Sequence, residues 1–369
     1  MQCVNGIVQV RPELARVEDY VPGESLAAFS ARTGVPVDRL IKLNSNESPF
    51  PPSPRVSQAL GEHLYYNLYP DPDGAPLIAD LATYTGIAPE HIILSSGSNE
   101  LITKLWSAFL SPGDSVLTAS PSFSLYTTAT TLAGGNTLAV PRCDDYELDV
   151  PAMLAVLRDD TKLIVLCSPN NPTGNLVARA DMEALLATGR IVVVDEAYIE
   201  FAGDDALAAS PIPLVAQYPN LVVLRTFSKW AGLAGLRVGY GIAPEWIGGY
   251  IRRAQCPFEV NVAGHIAAIE TLRHLDEALA NVQKIVAERD HLYDVLANQP
   301  YLEAVPSEGN FILARVREEE ASLKHVRQTV EAHGILLRYF NHPYLRDFLR
   351  VTVGLPEHTE KLASALAEV

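Results

Sequence analysis

The chain has 369 residues, of which 48% are apolar and 20% charged, a balance typical of folded globular proteins rather than long disordered segments. This length predicts two or three domains, or one large α/β domain with a smaller companion. The formal net charge of −16 does not suit a phosphate backbone, so we expect no nucleic-acid partner.

Cysteine, histidine and hydropathy patterns argue against several further classes of protein. The cysteines are scattered without C-x-x-C spacing, which favours reduced thiols in the cytosol; they are Cys3, Cys143, Cys167 and Cys256. The histidines lack metal-ligand spacing, so we expect no metal site. The first twenty residues lack the apolar run of a signal peptide, and no apolar run is long enough to span a membrane. We therefore expect a soluble, cytoplasmic protein with no membrane partner.

The first two-thirds of the chain predict a large α/β domain. The prolines of 43–54 predict an extended or turning segment after a weakly helical start. A helical stripe follows at 99–110, with apolar residues at helical spacing. Short runs that are apolar almost throughout predict strands buried on both faces; they lie at 115–119, 162–168, 190–196 and 220–228. Alternation of helices with such strands predicts a mostly parallel, doubly wound sheet between helices.

The pattern changes after Pro257. One long amphipathic stretch covers 264–297 and is followed by short predicted strands at 310–316, 334–340 and 348–354, with helices between and after them. This predicts a smaller α+β domain. We assign 44–262 to the large domain, and 1–43 together with 263–369 to the small one.

Polar clusters follow the strands of the large domain. They are SSGSNE at 95–100, SPNNPTG at 168–174, DEAY at 195–198 and TFSK at 226–229. Because open α/β sheets bind ligands beyond the carboxyl ends of their strands, we expect these clusters to line one crevice.

The SGSNE cluster precedes a helical stripe, and free amides at a helix N-terminus bind anions. An equally local interpretation is an ordinary N-cap formed by Ser96, Ser98 or Asn99. The chain contains neither the dinucleotide-binding glycine pattern nor a P-loop motif, so those nucleotide sites lose their main support.

Asp195 ends the strand IVVVD, so we expect it to be buried and to need a partner. A protonated pyridine nitrogen would serve, and the pairing would keep the ring able to accept electrons; a helix cap or a structural ion pair is the alternative. Tyr198 and Asn171 could each donate a hydrogen bond to a phenolate oxygen at the same place. The turn around Asn171 is also ordinary turn chemistry.

Lys229 lies at the mouth of a predicted strand and is followed by GLAGLR. Small residues let the backbone approach a ligand closely. Ser228 and Arg237 offer a hydroxyl and a bidentate guanidinium for a phosphate. Most lysines are solvated, so Lys229 alone would not indicate a functional site. The residues around it make a functional role the better interpretation.

Taken together, the motifs resemble a known family. TFSK-x-x-GLAGLR, SPNNPTG and DEAYIEF look like fold-type-I aminotransferases, which use pyridoxal 5′-phosphate. The sequence is most similar to the histidinol-phosphate aminotransferases of histidine biosynthesis. The resemblance covers nearly the whole chain, and further motifs fall in family order: YVPG (20–23), KLNSNESP (42–49), YPDP (69–72), GSNE (97–100), PSFSLY (121–126), NFILARV (310–316) and LRVTVG (349–354).

The resemblance implies a role for each matching residue. Lys229 would carry the cofactor as a Schiff base and move the proton, and Asp195 would pair with the ring nitrogen. Ser228 and Arg237 would hold the phosphate. The other implied cofactor contacts are Tyr198 and Asn171 at the ring oxygen, Phe123 on the ring face, and Ser98 and Asn99 at the phosphate.

The resemblance also implies substrate contacts and a partner. Tyr69 would reach the cofactor phosphate of a second subunit, which implies a homodimer with shared active sites. Arg350 would bind the carboxylate of glutamate and face the substrate phosphate in the other half-reaction. Arg338 and Tyr20 are further candidates for the substrate phosphate, and Asn171 would also line the substrate site.

The sequence departs from the family at three places: Trp230 follows Lys229, Asn99 replaces an acid, and Phe258-Glu259 replace Tyr-Asn. The implied reaction is transamination between imidazole acetol phosphate and glutamate. Alternatives are an aromatic amino acid aminotransferase, a decarboxylase of a phosphorylated amino acid, or a cofactor-binding interaction protein without catalysis. The last would predict a damaged lysine, aspartate or arginine position, and all three are intact.

Overall fold

The computed structural model describes residues 11–17, 24–203, 207–317 and 319–369. The strands are β1 (Ile41–Lys42), β2 (Ile92–Ser95), β3 (Ser115–Ser120), β4 (Asn136–Pro141), β5 (Thr161–Cys167), β6 (Ile191–Asp195), β7 (Leu221–Thr226), β8 (Gly239–Ile242), β9 (Leu302–Val305), β10 (Phe311–Val316), β11 (Ile335–Leu336), β12 (Arg338–Tyr339) and β13 (Phe348–Thr352).

The α-helices in those ranges are α1 (Leu26–Thr33), α2 (Pro54–Glu62), α3 (Ala75–Thr85), α4 (Ser98–Phe109), α5 (Leu125–Leu132), α6 (Val150–Ala155), α7 (Arg179–Leu186), α8 (Glu245–Ala254), α9 (Val262–Arg273), α10 (Leu275–Ala297), α11 (Leu323–Ala332) and α12 (Pro356–Leu366). Short 3-10 helices lie at Pro12–Arg16, Val37–Arg39, Pro89–His91, Ile199–Phe201, Ile212–Ala216, Ala234–Leu236 and Pro343–Leu345. None of the helices described is long and apolar enough to cross a lipid bilayer.

The larger sheet has seven strands in the order β2-β8-β7-β6-β5-β3-β4. All neighbouring pairs from β7 to β4 are parallel, and β8 runs antiparallel to both of its neighbours. Helices cover both faces: Leu101 of α4 and Ile247 of α8 pack on one, and Leu81 of α3 and Leu185 of α7 on the other. The expected doubly wound α/β sheet is therefore confirmed.

A smaller antiparallel sheet has the order β12-β13-β10-β9. Helices α10, α11 and α12 cover it, contributing Leu296, Val326 and Leu362 to the core. The short strand β1 pairs in parallel with β11, so the early part of the chain meets the late part beside this sheet. The division of the chain into domains after residues 43 and 262 stays a prediction.

Two predicted elements differ in the structure. The single amphipathic stretch at 264–297 is two helices, because His274 leaves the helical region at φ −123° and ψ 48°. Helix α9 packs on α2 and α3, whereas α10 packs on β9 and β10. Each helix keeps an apolar stripe toward its own layer, so the periodicity continues across the break. The amphipathic stretch predicted at 264–297 is thus present, and the structure divides it between two helices.

The predicted strand at 334–340 is also divided. Ile335 and Leu336 pair with β1, while Arg338 and Tyr339 pair with β13 in the smaller sheet. Leu337, which is buried, joins the two short strands. An apolar run indicates that a segment is buried, but it does not indicate whether the segment forms strands in one sheet or in two.

A buried ion cluster lies between β6 and β7. Arg225 is 2% exposed, and its guanidinium contacts carboxylate oxygens of Glu196 at 2.8 Å and Glu200 at 3.1 Å. It also donates to the hydroxyl of Ser210 at 3.1 Å. Burial raises the pKa of Glu200 to about 7, against the opposing effect of Arg225. The cluster therefore depends on one arginine to compensate two buried acids.

We expect Arg225→Met to lower the free energy of unfolding by about 3–5 kcal/mol, because buried carboxylates would lose their cation. The matched control is Arg179→Met, which removes an exposed pair with Glu183 and should lower it by about 0.3–0.5 kcal/mol. Urea unfolding followed by circular dichroism at pH 8, above the pKa of Glu200, measures both. Equal losses in the two variants would contradict this account of the cluster.

Candidate active site

The carboxyl ends of β2, β5, β6 and β7 meet at one edge of the larger sheet. Strands β5, β6 and β7 are mutually parallel, and β2 runs in their direction because β8 is antiparallel to both β2 and β7. The polar clusters that follow these strands therefore open on the same side, as the sequence predicts.

The N-terminus of α4 is open to an anion. Gly97 is the N-cap, and no side chain caps the helix. Ser98 begins the helix and is buried, whereas the side chain of Asn99 is exposed. The alternative of an ordinary cap by Ser96, Ser98 or Asn99 is thus not what the structure shows. Helix amides without a capping side chain are suited to bind a negatively charged group.

Arg237 lies against this helix end. A Cβ built on Gly97, whose φ is +89°, would come within 2.7 Å of Arg237 Nη2, so a side chain at this position would displace the guanidinium. Arg237 Nη1 donates to Ser228 Oγ at 3.3 Å, and Thr226 donates to the same oxygen at 2.9 Å. We call the N-terminus of α4, Ser228 and Arg237 the anion cradle. Its helix amides, hydroxyl and guanidinium match what a phosphate binds.

Asp195, at the end of β6, is 3% exposed. Its Oδ2 accepts a hydrogen bond from the hydroxyl of Tyr126 at 2.9 Å, and its Oδ1 accepts one from the amide of Ala197 at 3.2 Å. Burial raises the pKa of Asp195 to about 6, and these two hydrogen bonds oppose the rise. None of the ion pairs formed by the described residues includes Asp195. A cationic partner from outside the chain would satisfy this carboxylate.

The hydroxyl oxygen of Tyr198 accepts two amide hydrogen bonds. Asn171 Nδ2 and Asn46 Nδ2 each donate to it at 3.2 Å. Burial raises the pKa of Tyr198 to about 12, so the hydroxyl keeps its proton at neutral pH. With its oxygen occupied by two donors, the hydroxyl can give that proton to an acceptor in the crevice.

Lys229 follows β7 and is half-buried. Its Nζ donates to the carbonyl oxygen of Ser45 at 3.1 Å and lies 5.9 Å from the centre of the Tyr198 ring. Burial lowers the pKa of Lys229 to about 8, and the positive charges of Arg350 and Arg237 act in the same direction. A far larger fraction of this amine than of an ordinary lysine is therefore neutral and nucleophilic near neutral pH.

Arg350 extends the site to the smaller sheet. It is buried on β13, and it donates to Asn171 Oδ1 at 2.5 Å and to the carbonyl oxygen of Asn44 at 2.9 Å. Its guanidinium lies 5.3 Å from the centre of the Phe311 ring. Arg338 on β12 is the directly opposite residue of the antiparallel pair. Like charges in that relation disfavour the fold unless an anion lies between them.

The remaining predicted residues lie farther out. Phe123 is half-buried and packs edge-on against Tyr126, with ring centres 5.6 Å apart, which places it near Asp195. Tyr69 is 80% exposed and stacks on Phe258. Among the residues that the structure describes, Tyr69 forms no hydrogen bond or ring contact with Lys229, Asp195 or Arg237. Tyr20 lies outside the described residues.

Two contacts of the site were missed from the sequence. Tyr126 lies in the first turn of α5 and within the PSFSLY motif, and its place in that motif could have indicated a role in the site. Asn46 lies within the quoted KLNSNESP motif, has a positive φ of 52° and is buried. Its contact with Tyr198 joins residues 152 positions apart, and no local pattern indicates such a contact.

The residues that depart from the family pattern make specific contacts in the structure. Trp230 is buried and packs against Phe227 and Tyr84, with ring centres 5.5 and 6.0 Å apart. Glu259 forms an ion pair with the buried Lys104 of α4 and accepts a hydrogen bond from Ser95 at 2.9 Å. In the ranges described, no cluster of three or more His, Cys, Asp or Glu could hold a metal ion.

Comparison with known proteins places this geometry in a family. The family model for class I and II aminotransferases matches residues 38–368. The chain belongs to this family. The aminotransferase fold and activity class predicted from the motifs are thereby confirmed.

Individual relatives in the aminotransferase family are similar over nearly the whole chain. The chain is 45% identical over 367 residues to a histidinol-phosphate aminotransferase of Roseiflexus castenholzii, covering 98% of each. It is 38% identical to the chloroplastic enzyme of that name from Nicotiana tabacum, covering 99% of this chain and 87% of that one. The solved histidinol-phosphate aminotransferase of Sinorhizobium meliloti, in complex with pyridoxal-5′-phosphate, superposes with a TM-score of 0.87 at 26% identity, covering 99% of this chain and 98% of that one.

The lowered pKa of Lys229 gives a direct prediction. In the cofactor-free protein, labelling of Lys229 by an amine-reactive reagent should reach half its maximum near pH 8, because only the neutral amine reacts. Mass spectrometry of the Lys229 peptide measures the labelling. In the chain unfolded by urea, the midpoint for the same peptide should return toward the ordinary value of 10.5. Equal midpoints in folded and unfolded protein would show that burial does not perturb this amine.

Proposed function

We propose that this aminotransferase uses pyridoxal 5′-phosphate to exchange an amino group between L-histidinol phosphate and 2-oxoglutarate, giving imidazole acetol phosphate and glutamate. The observation that carries the proposal is the arrangement of one amine, one carboxylate and one anion cradle around a single crevice, with two arginines on the adjoining sheet. The names of relatives up to 45% identical support the choice of substrate.

The residues present fit this cofactor. Arg237 lies over Gly97 in a space that a Cβ would fill, beside uncapped helix amides, which suits the phosphate. Asp195 is a buried carboxylate that lacks a cation from the described part of the chain, which suits a protonated ring nitrogen. Lys229 is an amine with a lowered pKa, which suits covalent attachment to the aldehyde.

When bound, pyridoxal phosphate would withdraw electrons from the substrate Cα as the amino group moves. Lys229 would take the proton from the substrate Cα and return it to C4′ of the cofactor. Its pKa of about 8 suits a group that must both accept and give up a proton near neutral pH. Asp195 would accept a hydrogen bond from the protonated ring nitrogen and so keep that nitrogen charged.

Tyr198 and Asn171 would orient the ring. The hydroxyl of Tyr198 has a proton to donate, and Asn171 lies within hydrogen-bond distance of that hydroxyl. Both would therefore face the phenolic oxygen of the cofactor. Phe123, packed against Tyr126, would cover the ring face. Ser98 and Asn99 would contribute backbone amides to the phosphate, together with Ser228 and Arg237.

Arg350 and Arg338 would recognise the two substrates. In a pair of antiparallel neighbours both side chains project from the same face of the sheet. Arg350 is the buried member and would bind the carboxylate of glutamate and face the phosphate of the other substrate. Arg338 would add a second charge for that phosphate, with Tyr20 as a further candidate. Glutamate and histidinol phosphate each carry an anionic group, which explains why one site could serve both amino donors.

The proposal includes a homodimer in the cytoplasm. Tyr69 would reach the cofactor phosphate of the partner subunit, as the family resemblance implies, and its exposed ring, stacked on Phe258, is accessible to a second subunit. Neighbouring side chains of this segment are apolar and exposed, as at an interface; they are Leu64, Tyr65, Tyr66 and Leu68.

The lysine assignment predicts the loss of a spectral signal. Lys229→Ala should abolish the visible absorbance of the lysine-bound cofactor and all transamination, because the amine that attaches the cofactor and moves the proton would be missing. The control is Lys162→Ala, which removes an exposed lysine on β5 and should leave both unchanged. Absorbance spectra after dialysis measure the result. A persistent band in Lys229→Ala protein would exclude Lys229 as the attachment site.

The substrate assignment is tested by comparing amino donors in steady-state kinetics with 2-oxoglutarate. Histidinol phosphate should exceed both histidinol and phenylalanine in kcat/KM by at least about a hundredfold, because neither of the other two donors carries a phosphate for Arg338 and Arg350 to bind. With imidazole acetol phosphate as the acceptor instead, Arg350→Ala should lower kcat/KM for glutamate by at least about thirtyfold. Arg315→Ala, an exposed position of β10 in the same sheet, is the control.

The alternatives give different results in the same assay. Comparable rates with phenylalanine would identify an aromatic amino acid aminotransferase. Release of carbon dioxide from a phosphorylated amino acid, with no amino transfer, would identify a decarboxylase. Unchanged glutamate kinetics in Arg350→Ala would show that the smaller sheet has another role.

A further inference from the structure

Tyr126 makes a contact that the proposed chemistry does not yet explain. Its hydroxyl donates to Asp195 Oδ2 at 2.9 Å, and both side chains are almost fully buried. An ionised carboxylate only accepts hydrogen bonds, so the tyrosine must be the donor. The contact joins helix α5 on one face of the larger sheet to the end of β6. A hydroxyl so placed stabilises the charged form of the carboxylate specifically.

Helix α5 holds Tyr126 in a fixed position. Trp106 Nε1 of α4 donates to Thr130 Oγ1 at 2.7 Å, and Thr130 Oγ1 donates to the carbonyl oxygen of Tyr126 at 2.8 Å. The Tyr126 ring also packs edge-on against Phe123. The backbone of Tyr126 is therefore held by contacts with α4 and within α5, and its ring is held by the contact with Phe123. Tyr126 is therefore also held by contacts other than its hydrogen bond to Asp195.

The charged and titratable groups around Asp195 come from each adjoining element. Tyr126 lies on α5, Cys167 on β5, Glu196 next in the chain, and Lys229 after β7; Tyr198 lies in the turn that follows β6. Glu196 raises the pKa of Asp195, whereas Lys229 lowers it less than the hydrogen bond from Tyr126 does. Among these neighbours, Tyr126 is the main side chain that favours the ionised carboxylate.

We propose that Tyr126 is a positioning residue for the reaction, whose hydroxyl keeps Asp195 ionised and oriented so that the ring nitrogen of the bound cofactor retains its proton. This inference rests on the proposed function. With Oδ2 and Oδ1 each accepting one hydrogen bond, lone pairs remain on the carboxylate for the ring nitrogen. Without the hydroxyl, Asp195 becomes more basic and takes the shared proton more often. A ring that loses its proton accepts electrons less well.

The test is Tyr126→Phe in the holoenzyme, reconstituted with pyridoxal phosphate carrying ¹⁵N in the ring. The ¹⁵N chemical shift reports whether the ring nitrogen holds a proton. The shared proton should move toward Asp195 by about tenfold in equilibrium constant, which corresponds to one pKa unit. The ¹⁵N signal should therefore move toward the unprotonated position, and kcat should fall about tenfold. KM for glutamate should stay within about twofold, because Arg350 is untouched.

The matched control is Tyr301→Phe, which removes another buried tyrosine hydroxyl, bonded to the carbonyl oxygen of Leu366 at 2.6 Å, without touching α5 or Asp195. Thermal unfolding of both variants shows that they fold and measures any loss of stability. The control should leave the ¹⁵N signal at the wild-type position, even where its loss of stability equals that of Tyr126→Phe.

Two results would overturn the inference while leaving the proposed function intact. One is a ¹⁵N signal in Tyr126→Phe that coincides with the wild-type signal, and the other is an equal displacement in Tyr301→Phe. A wild-type protein that binds no pyridoxal phosphate would overturn the proposed function itself, and this inference with it.

Discussion

The site depends on the burial of ionisable groups at the ends of parallel strands. Removal from water favours the neutral form of each group, so it lowers the pKa of Lys229 to about 8 and raises that of Asp195 to about 6. Each charged state then persists only through specific partners, such as the hydroxyl of Tyr126 for Asp195. The same burial that makes the lysine a usable nucleophile makes the aspartate dependent on hydrogen bonds and on a cation from the ligand.

A short segment joins the two sheets at the site. The carbonyl oxygen of Asn44 accepts from Arg350, that of Ser45 accepts from Lys229, and the side chain of Asn46 donates to Tyr198. The amide and carboxamide oxygen of Asn46 also bond to the hydroxyl of Thr352 on β13. One stretch of irregular backbone thus touches the amine, the ring-oxygen donor and the substrate arginine. A displacement of β13 would therefore also change the positions of Lys229 and Tyr198.

Much of the fold was predictable because its signals are local. The buried strands β3, β5, β6 and β7 lie within about two residues of their predicted positions, since continuous apolar runs of that length suit a sheet covered on both faces. The helix break at His274 was not predictable, because both helices keep an apolar stripe. The division of 334–340 between two sheets was missed for a similar reason. Residue roles in the site stay predictions, although Lys229 and Asn171 both contact Tyr198, and Arg350 contacts Asn171.

The sequence alone determined the family, the strand ends and the identity of the chemical groups, because motifs and periodicity are properties of neighbouring residues. Tertiary structure alone decided which distant groups meet: Asn46 with Tyr198, Tyr126 with Asp195, and Arg338 opposite Arg350. It also decided their pKa values, because burial and the surrounding charges come from several elements at once. Such contacts follow from how sheets and helices pack, and a linear pattern contains no record of that packing.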